Sequence, residues 1–156
     1  MTKILFICHG NICRSPMAEF VMKDLVRKAG READFIIASA ATSREEIGHD
    51  IHYGTRAKLE QMHIPFNTRR AVQLTRADYA NYDLLIAMDA ENLQGIKRII
   101  GTDLQKKVHL LLEYCGEPWT EVADPWYTGD FEATYNDVVR GCGALLAQQS
   151  DKHLPD

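Results

Sequence analysis

Ile4-Leu5-Phe6-Ile7-Cys8-His9-Gly10-Asn11-Ile12-Cys13-Arg14-Ser15-Pro16 changes character twice. Its first four residues are an unbroken apolar run, as expected of a central strand buried on both faces, and Cys8 stands at the end of it. Ser15 then offers an N-cap oxygen and Pro16 a preset φ at the first helical position. Met17, Phe20, Val21 and Leu25 continue at the three- and four-residue spacing of an apolar helix face. The reading is strand, tight loop, helix.

Such a loop gathers backbone N–H groups at a helix N-terminus, where unpaired donors and the positive end of the dipole favour an anion. A phosphate fits. Gly10 and Asn11 are residue types that tolerate left-handed backbone angles, which the loop needs if its N–H groups are to turn around one centre. The planar fork of Arg14 can hold two phosphoryl oxygens and follow their charge into a transition state. Cys8 lies beneath that anion, where the helix N-terminus, inward N–H groups and guanidinium all favour its nucleophilic thiolate form.

Further along, Phe35-Ile36-Ile37-Ala38 reads as a second buried strand, Asp83-Leu84-Leu85-Ile86-Ala87-Met88 as a third and Val108-His109-Leu110-Leu111-Leu112 as a fourth. Helices are expected over Thr55–Met62, over Ala90–Ile100 with Asp89 as its N-cap, and over Phe131–Gln148. Strands alternating with helices imply an α/β fold: right-handed crossovers and a parallel four-stranded sheet with helices on both faces.

A cysteine and an arginine separated by five residues, then a serine, is the signature of cysteine-based phosphatases. The fuller string from Cys8 to Phe20, CHGNICRSPMAEF, resembles the low-molecular-weight protein tyrosine phosphatases. That resemblance implies a flavodoxin-like strand order beginning 2-1-3, which puts the end of the first strand at the topological switch point where such sheets bind ligands. It implies hydrolysis of phosphotyrosine and small aryl phosphates through a cysteinyl-phosphate. Cys8 would be the nucleophile and Arg14 the phosphate clamp, with the N–H groups of His9, Gly10, Asn11, Ile12, Cys13, Arg14 and Ser15 around the phosphate.

The family's serine that supports the loop asparagine corresponds to Ser39, partner of Asn11, although Ala41 replaces the family's usual glycine. A thiolate phosphatase needs a separately placed acid to protonate the leaving oxygen. Asp124-Pro125-Trp126-Tyr127 matches the family's Asp-Pro and aromatic loop, with Asp124 as general acid and then base. Trp126 and Tyr127 would form the substrate rim with Ile12. Ile47 joins them, since Glu46-Ile47-Gly48 stands where many members carry a tryptophan before a glycine turn. Related arginine phosphatases carry threonine at position 12, so Ile12 favours tyrosine. The resemblance also implies that Cys13 is a redox partner of Cys8. No cofactor and no metal are called for, because guanidinium and amide dipoles neutralise the phosphoryl charge.

Composition narrows the remaining classes. At 156 residues, 46% of them apolar, one domain over 1–156 is expected. Lys and Arg number 18 against 22 acidic residues, a net charge of −4 that gives no field for nucleic acid. Arg69-Arg70, the nearest thing to a basic patch, reads as a solvated surface pair. The N-terminal apolar run is too short for a signal peptide and no stretch approaches the ~20 residues of a membrane span. A soluble, cytoplasmic monomer acting on tyrosine-phosphorylated proteins is the expectation. Cys8, Cys13, Cys115 and Cys142 lack zinc spacing, and His49 and His52 read as surface histidines. Two rivals remain. Thioredoxin-coupled arsenate reductases share the loop but need relay thiols in mid-chain, and none lies between Cys13 and Cys115. A binding-only module usually loses the nucleophile or the acid, and here Cys8, Arg14 and Asp124 all stand.

Overall fold

The computed structural model describes residues 1–152. Strands β1 (Thr2–Cys8), β2 (Phe35–Ala41), β3 (Leu84–Ala87) and β4 (Val108–Leu110) alternate with helices α1 (Arg14–Lys28), α2 (Tyr53–Gln61), α3 (Asp78–Asn81), α4 (Ala90–Ile100), α5 (Pro125–Thr128) and α6 (Phe131–Lys152). The four strands pair in parallel in the order β2-β1-β3-β4, as the flavodoxin-like reading requires. The connection after β1 leads to one side of it and the next connection to the other, so the carboxyl end of β1 lies at the switch point. Cys8 is its last residue, level with Ala41 of β2.

Side chains alternate along β1 and so feed two cores. Ile4 and Phe6 pack with Met17, Phe20 and Val21 of α1 and Val138, Cys142 and Leu145 of α6. Leu5 and Ile7 face the other way, onto Leu85, Ala87, Ile96 and Ile100. Burying each large apolar side chain contributes about 1.5–3 kcal/mol, so the two cores clamp β1, and with it the start of the anion loop, from both sides.

The structure corrects three local expectations. Helix α1 starts at Arg14 with Cys13 in the N-cap position and no side-chain cap, so Ser15 is not the cap and Pro16 is the third helical residue. That costs Pro16 no hydrogen bond, because the first four helical N–H groups have no intrahelical partner. The fourth strand ends at Leu110, since β3 offers it no partner beyond Ala87. Leu111 and Leu112 continue as a 3₁₀ segment, Leu111–Cys115, and stay buried against α6. Only Asn11 of the loop is left-handed, at φ 58°; Gly10 is not. A Cβ on Gly10 would lie 3.2 Å from Glu46 Cγ, so the glycine serves close approach of the 42–53 loop rather than a positive φ.

Candidate active site

The loop from Cys8 to Arg14 is held by its carbonyls. Cys8 O and His9 O accept from the N–H groups of Thr42 and Ser43, at 3.0 Å each. Ile12 O accepts from His52 N at 2.9 Å, and Cys13 O from Met17 N and the Thr55 hydroxyl. Asn11 O accepts from Arg69 Nη2 at 2.5 Å. With these carbonyls engaged outside the loop, the peptide planes turn the other way and their N–H groups are left to converge on a central anion. Asn11 N, the one that reaches the sulfur, lies 3.3 Å from Cys8 Sγ.

A directed chain of hydrogen bonds ends on the same sulfur. Val72 N donates to Asn11 Oδ1 at 3.2 Å, which fixes the orientation of the amide. Asn11 Nδ2 then donates to Ser39 Oγ at 2.9 Å and to Ser15 Oγ at 2.8 Å. The Ser39 hydroxyl spends its proton on Glu19 Oε1 at 2.6 Å. The Ser15 hydroxyl, accepting from Asn11, lies 3.1 Å from Cys8 Sγ, placed to donate to it when the sulfur is a thiolate. Asn11 N donates to the sulfur and the Ser15 hydroxyl stands beside it, an arrangement that suits a thiolate. Ser15 lies inside the helix, which starts at Arg14, and its hydroxyl meets the sulfur rather than capping. The same chain of bonds brings together Asn11 and Ser39, as expected from sequence, and adds Glu19, which sequence reading passed over.

Arg14 is 2% exposed. Its Nη1 donates to Asp89 Oδ2 at 2.7 Å and to Val122 O at 3.0 Å, and its Nη2 to Asp124 Oδ2 at 3.3 Å. Burial alone would lower this guanidinium; Cys8, Asp89 and Asp124 outweigh it and hold Arg14 above its ordinary value. Asp89 is the N-cap of α4, accepting from Asn92 N in a capping box, as its sequence position implies. Its second oxygen on Arg14 is a role that capping does not announce: one carboxylate ends a helix and aims the clamp. Asp124 caps the short helix α5 through Trp126 N at 3.0 Å and turns its other oxygen to Arg14.

These groups open into a cleft of about 330 Å³ whose floor is Cys8, Gly10, Cys13 and Arg14. Ile12, Asp124, Trp126 and Tyr127 line it, with Trp126 61% and Tyr127 82% exposed, so neither aromatic belongs to the core. His9, Glu45, Glu46 and Glu91 complete the lining. Ile47, expected on the rim, is exposed but is not among the residues lining the cleft; its two glutamate neighbours are. His52 is half-buried rather than on the surface. It caps α2 by accepting from Gly54 N, stacks on Phe131 and meets the Trp126 ring edge-on. The Cys13 thiol is pushed up to about 12, first by burial and then by the charges of Cys8 and Asp124, so it stays protonated beside Cys8 at neutral pH.

Sequence comparison places this geometry among known proteins. The family model described as "Low molecular weight phosphotyrosine protein phosphatase" matches residues 3–154. The low molecular weight protein-tyrosine-phosphatase YfkJ of Bacillus subtilis is 38% identical over 99% of this chain and 100% of its own length, and its crystal structure superposes with a TM-score of 0.93 over 99% of this chain and 98% of that one. The Homo sapiens low molecular weight phosphotyrosine protein phosphatase is 36% identical over 92% of each chain. The structure of SP-PTP from Streptococcus pyogenes, 39% identical, gives a TM-score of 0.86 over 98% of this chain and 99% of its own. With the sheet order, the anion loop at its switch point and the match along nearly the whole length in agreement, the chain belongs to the low molecular weight phosphotyrosine protein phosphatase family.

Proposed function

We propose that this protein is a protein tyrosine phosphatase that hydrolyses phosphotyrosine in protein substrates, and small aryl phosphates, through a cysteinyl-phosphate. The observation that carries the reading is Cys8 Sγ at the end of β1, receiving a hydrogen bond from Asn11 N and meeting the Ser15 hydroxyl, in a cleft that also holds Arg14 and Asp124. Cys8 attacks phosphorus in line, the bond from phosphorus to the aryl oxygen breaks, and Asp124 gives its proton to that oxygen. Arg14 and the loop N–H groups from His9 to Ser15 carry the charge on the equatorial oxygens throughout. A phosphoryl dianion seated on Arg14 competes with the Arg14–Asp124 contact. In the second step Asp124, now a carboxylate, takes a proton from water as its oxygen attacks phosphorus, and phosphate leaves with Cys8 again a thiolate. The flat surfaces of Trp126 and Tyr127 beside the anion suit an aryl ring.

One domain over 1–156, a monomeric state, a cytoplasmic setting and no part for nucleic acid or membrane complete the reading. No helix among the described residues is long and apolar enough to cross a membrane. Hydrolysis of p-nitrophenyl phosphate, phosphotyrosine peptides and phosphoarginine peptides, without added metal, tests it. Cleavage of the two aryl substrates in preference to phosphoarginine is expected. Cleavage of phosphoarginine alone would move the substrate assignment, and phosphate binding without hydrolysis would make the protein a binding module.

Cys13 belongs to the same reading as a redox partner. Peroxide oxidises the Cys8 thiolate to a sulfenic acid; the Cys13 sulfur attacks it, a disulfide forms, and water leaves with the Cys13 proton. After peroxide treatment, the parent is expected to regain most of its activity with dithiothreitol and Cys13→Ser much less. Equal recovery of the two would remove Cys13 from this role.

A further inference from the structure

His52 reaches both loops of the cleft. Its backbone N–H donates to Ile12 O at 2.9 Å, so its main chain stands against the anion loop. Its ring faces the segment that follows Asp124. The ring stacks on Phe131, with centroids 5.5 Å apart and planes 13° from parallel, and meets Trp126 edge-on at 5.9 Å and 73°. Trp126 is the second residue of α5 and Phe131 begins α6, so the imidazole touches the chain on both sides of the turn at Gly129. The ring is also seated firmly. Its Nδ1 accepts from Gly54 N at 3.0 Å, which fixes the ring plane at the start of α2. A Cβ on Gly54 would overlap the Phe131 ring, so the glycine is what lets Phe131 come down onto the imidazole.

Trp126 has need of such a neighbour. It lines the catalytic cleft, and it lines a second hollow of about 540 Å³ together with His52, Tyr53, Pro125, Gly129 and Phe131. The indole is therefore a wall between two open spaces, 61% exposed, and among the described residues the imidazole is the ring set against it. A side chain with open space about it samples several rotamers unless a contact selects one.

We infer that His52 is a positioning residue for the aryl wall of the cleft: held by Gly54 N and stacked on Phe131, its ring sets Trp126 against the space that the ring of a phosphotyrosine would enter. The inference rests on the proposed function, whose aryl substrate gives Trp126 its part, and deepens it by naming what holds that wall. It also separates two tasks. The phosphoryl group is met by the anion loop and Arg14, and the tie of His52 to that loop is made by main chain, so it survives a change of side chain. The imidazole serves the organic part of the substrate.

The test titrates two ligands that are not hydrolysed, phenylphosphonate and inorganic phosphate, into the parent, His52→Asn and His52→Phe by calorimetry. Asparagine can cap a helix but has no ring, whereas phenylalanine keeps a ring and loses the acceptor for Gly54 N. With the aromatic contact gone, His52→Asn is expected to bind phenylphosphonate about fivefold more weakly and phosphate within about twofold of the parent. His52→Phe should bind both ligands within about twofold of the parent while melting at a lower temperature, because a cap is lost. Should His52→Asn fail to fold, His52→Ser, another capping residue without a ring, is judged by the same criteria. A ringless variant that binds phenylphosphonate as the parent does, one that loses both ligands alike, or a phenylalanine variant as impaired as the asparagine one overturns the inference. A parent that leaves phosphotyrosine intact overturns the proposed function instead, and the two titrations still judge His52.

Discussion

Cys8→Ser is expected to abolish hydrolysis of p-nitrophenyl phosphate and phosphotyrosine peptides, by about 10⁴-fold or more, as loss of a nucleophile from a concerted set does elsewhere. A serine hydroxyl in this pocket would meet the same donors from Asn11 and Ser15, yet it ionises far less readily than a thiol and presents no comparable nucleophile. The loop itself should survive, because its carbonyls are held from outside by Thr42, Ser43, His52, Thr55 and Arg69 rather than by the sulfur. Cys8→Ser is therefore expected to bind phosphotyrosine peptide without consuming it, which calorimetry and a phosphate-release assay together can read. Hydrolysis surviving within tenfold of the parent would take Cys8 out of the mechanism.

Asp124→Ala is expected to slow kcat by about 10²–10⁴-fold, the range for a lost general acid. The size should depend on the leaving group. Phenyl phosphate, whose poor leaving oxygen needs the proton, should suffer most, and p-nitrophenyl phosphate, whose phenolate leaves more readily, should suffer least. One contact needs separating from this. Asp124 Oδ2 also meets Arg14, but Asp89 holds the same guanidinium at the shorter distance of 2.7 Å, so Arg14 should keep its place and KM should change less than kcat.

The residues whose chemistry is announced by type and by short spacing were legible in advance. Cys8, Asn11, Arg14 and Ser15 lie within one turn of loop and the first turn of helix, so local backbone rules largely dictate how they meet. Ser39 and Asp124 lie far along the chain and were legible only through resemblance to a family. Ile47 illustrates the limit of that route. A resemblance across a loop of different sequence gave the right wall of the cleft but the wrong side chain, and Glu45 and Glu46 line it instead. Ser15 shows a different failure. Its type and position favour an N-cap, but the helix begins one residue earlier, and the hydroxyl lies between the Asn11 amide and the buried sulfur.

Short-range patterning settled four strands, the helices between them and the anion loop that carries Cys8 and Arg14, because these follow from period, capping and loop chemistry over a few residues. Packing alone settled the partners. Arg14 meets Asp89 across a separation of 75 residues, and Asn11 O meets Arg69 across 58. Nothing local distinguishes Asp89 the cap from Asp89 the clamp's support, or Arg69 from its solvated neighbour Arg70. The difference arises when β1 and β3 lie side by side and the segment from Ala71 to Leu74 runs parallel to the end of β2. There, removal of a guanidinium from water demands acceptors, and the acceptors within reach are those of the site.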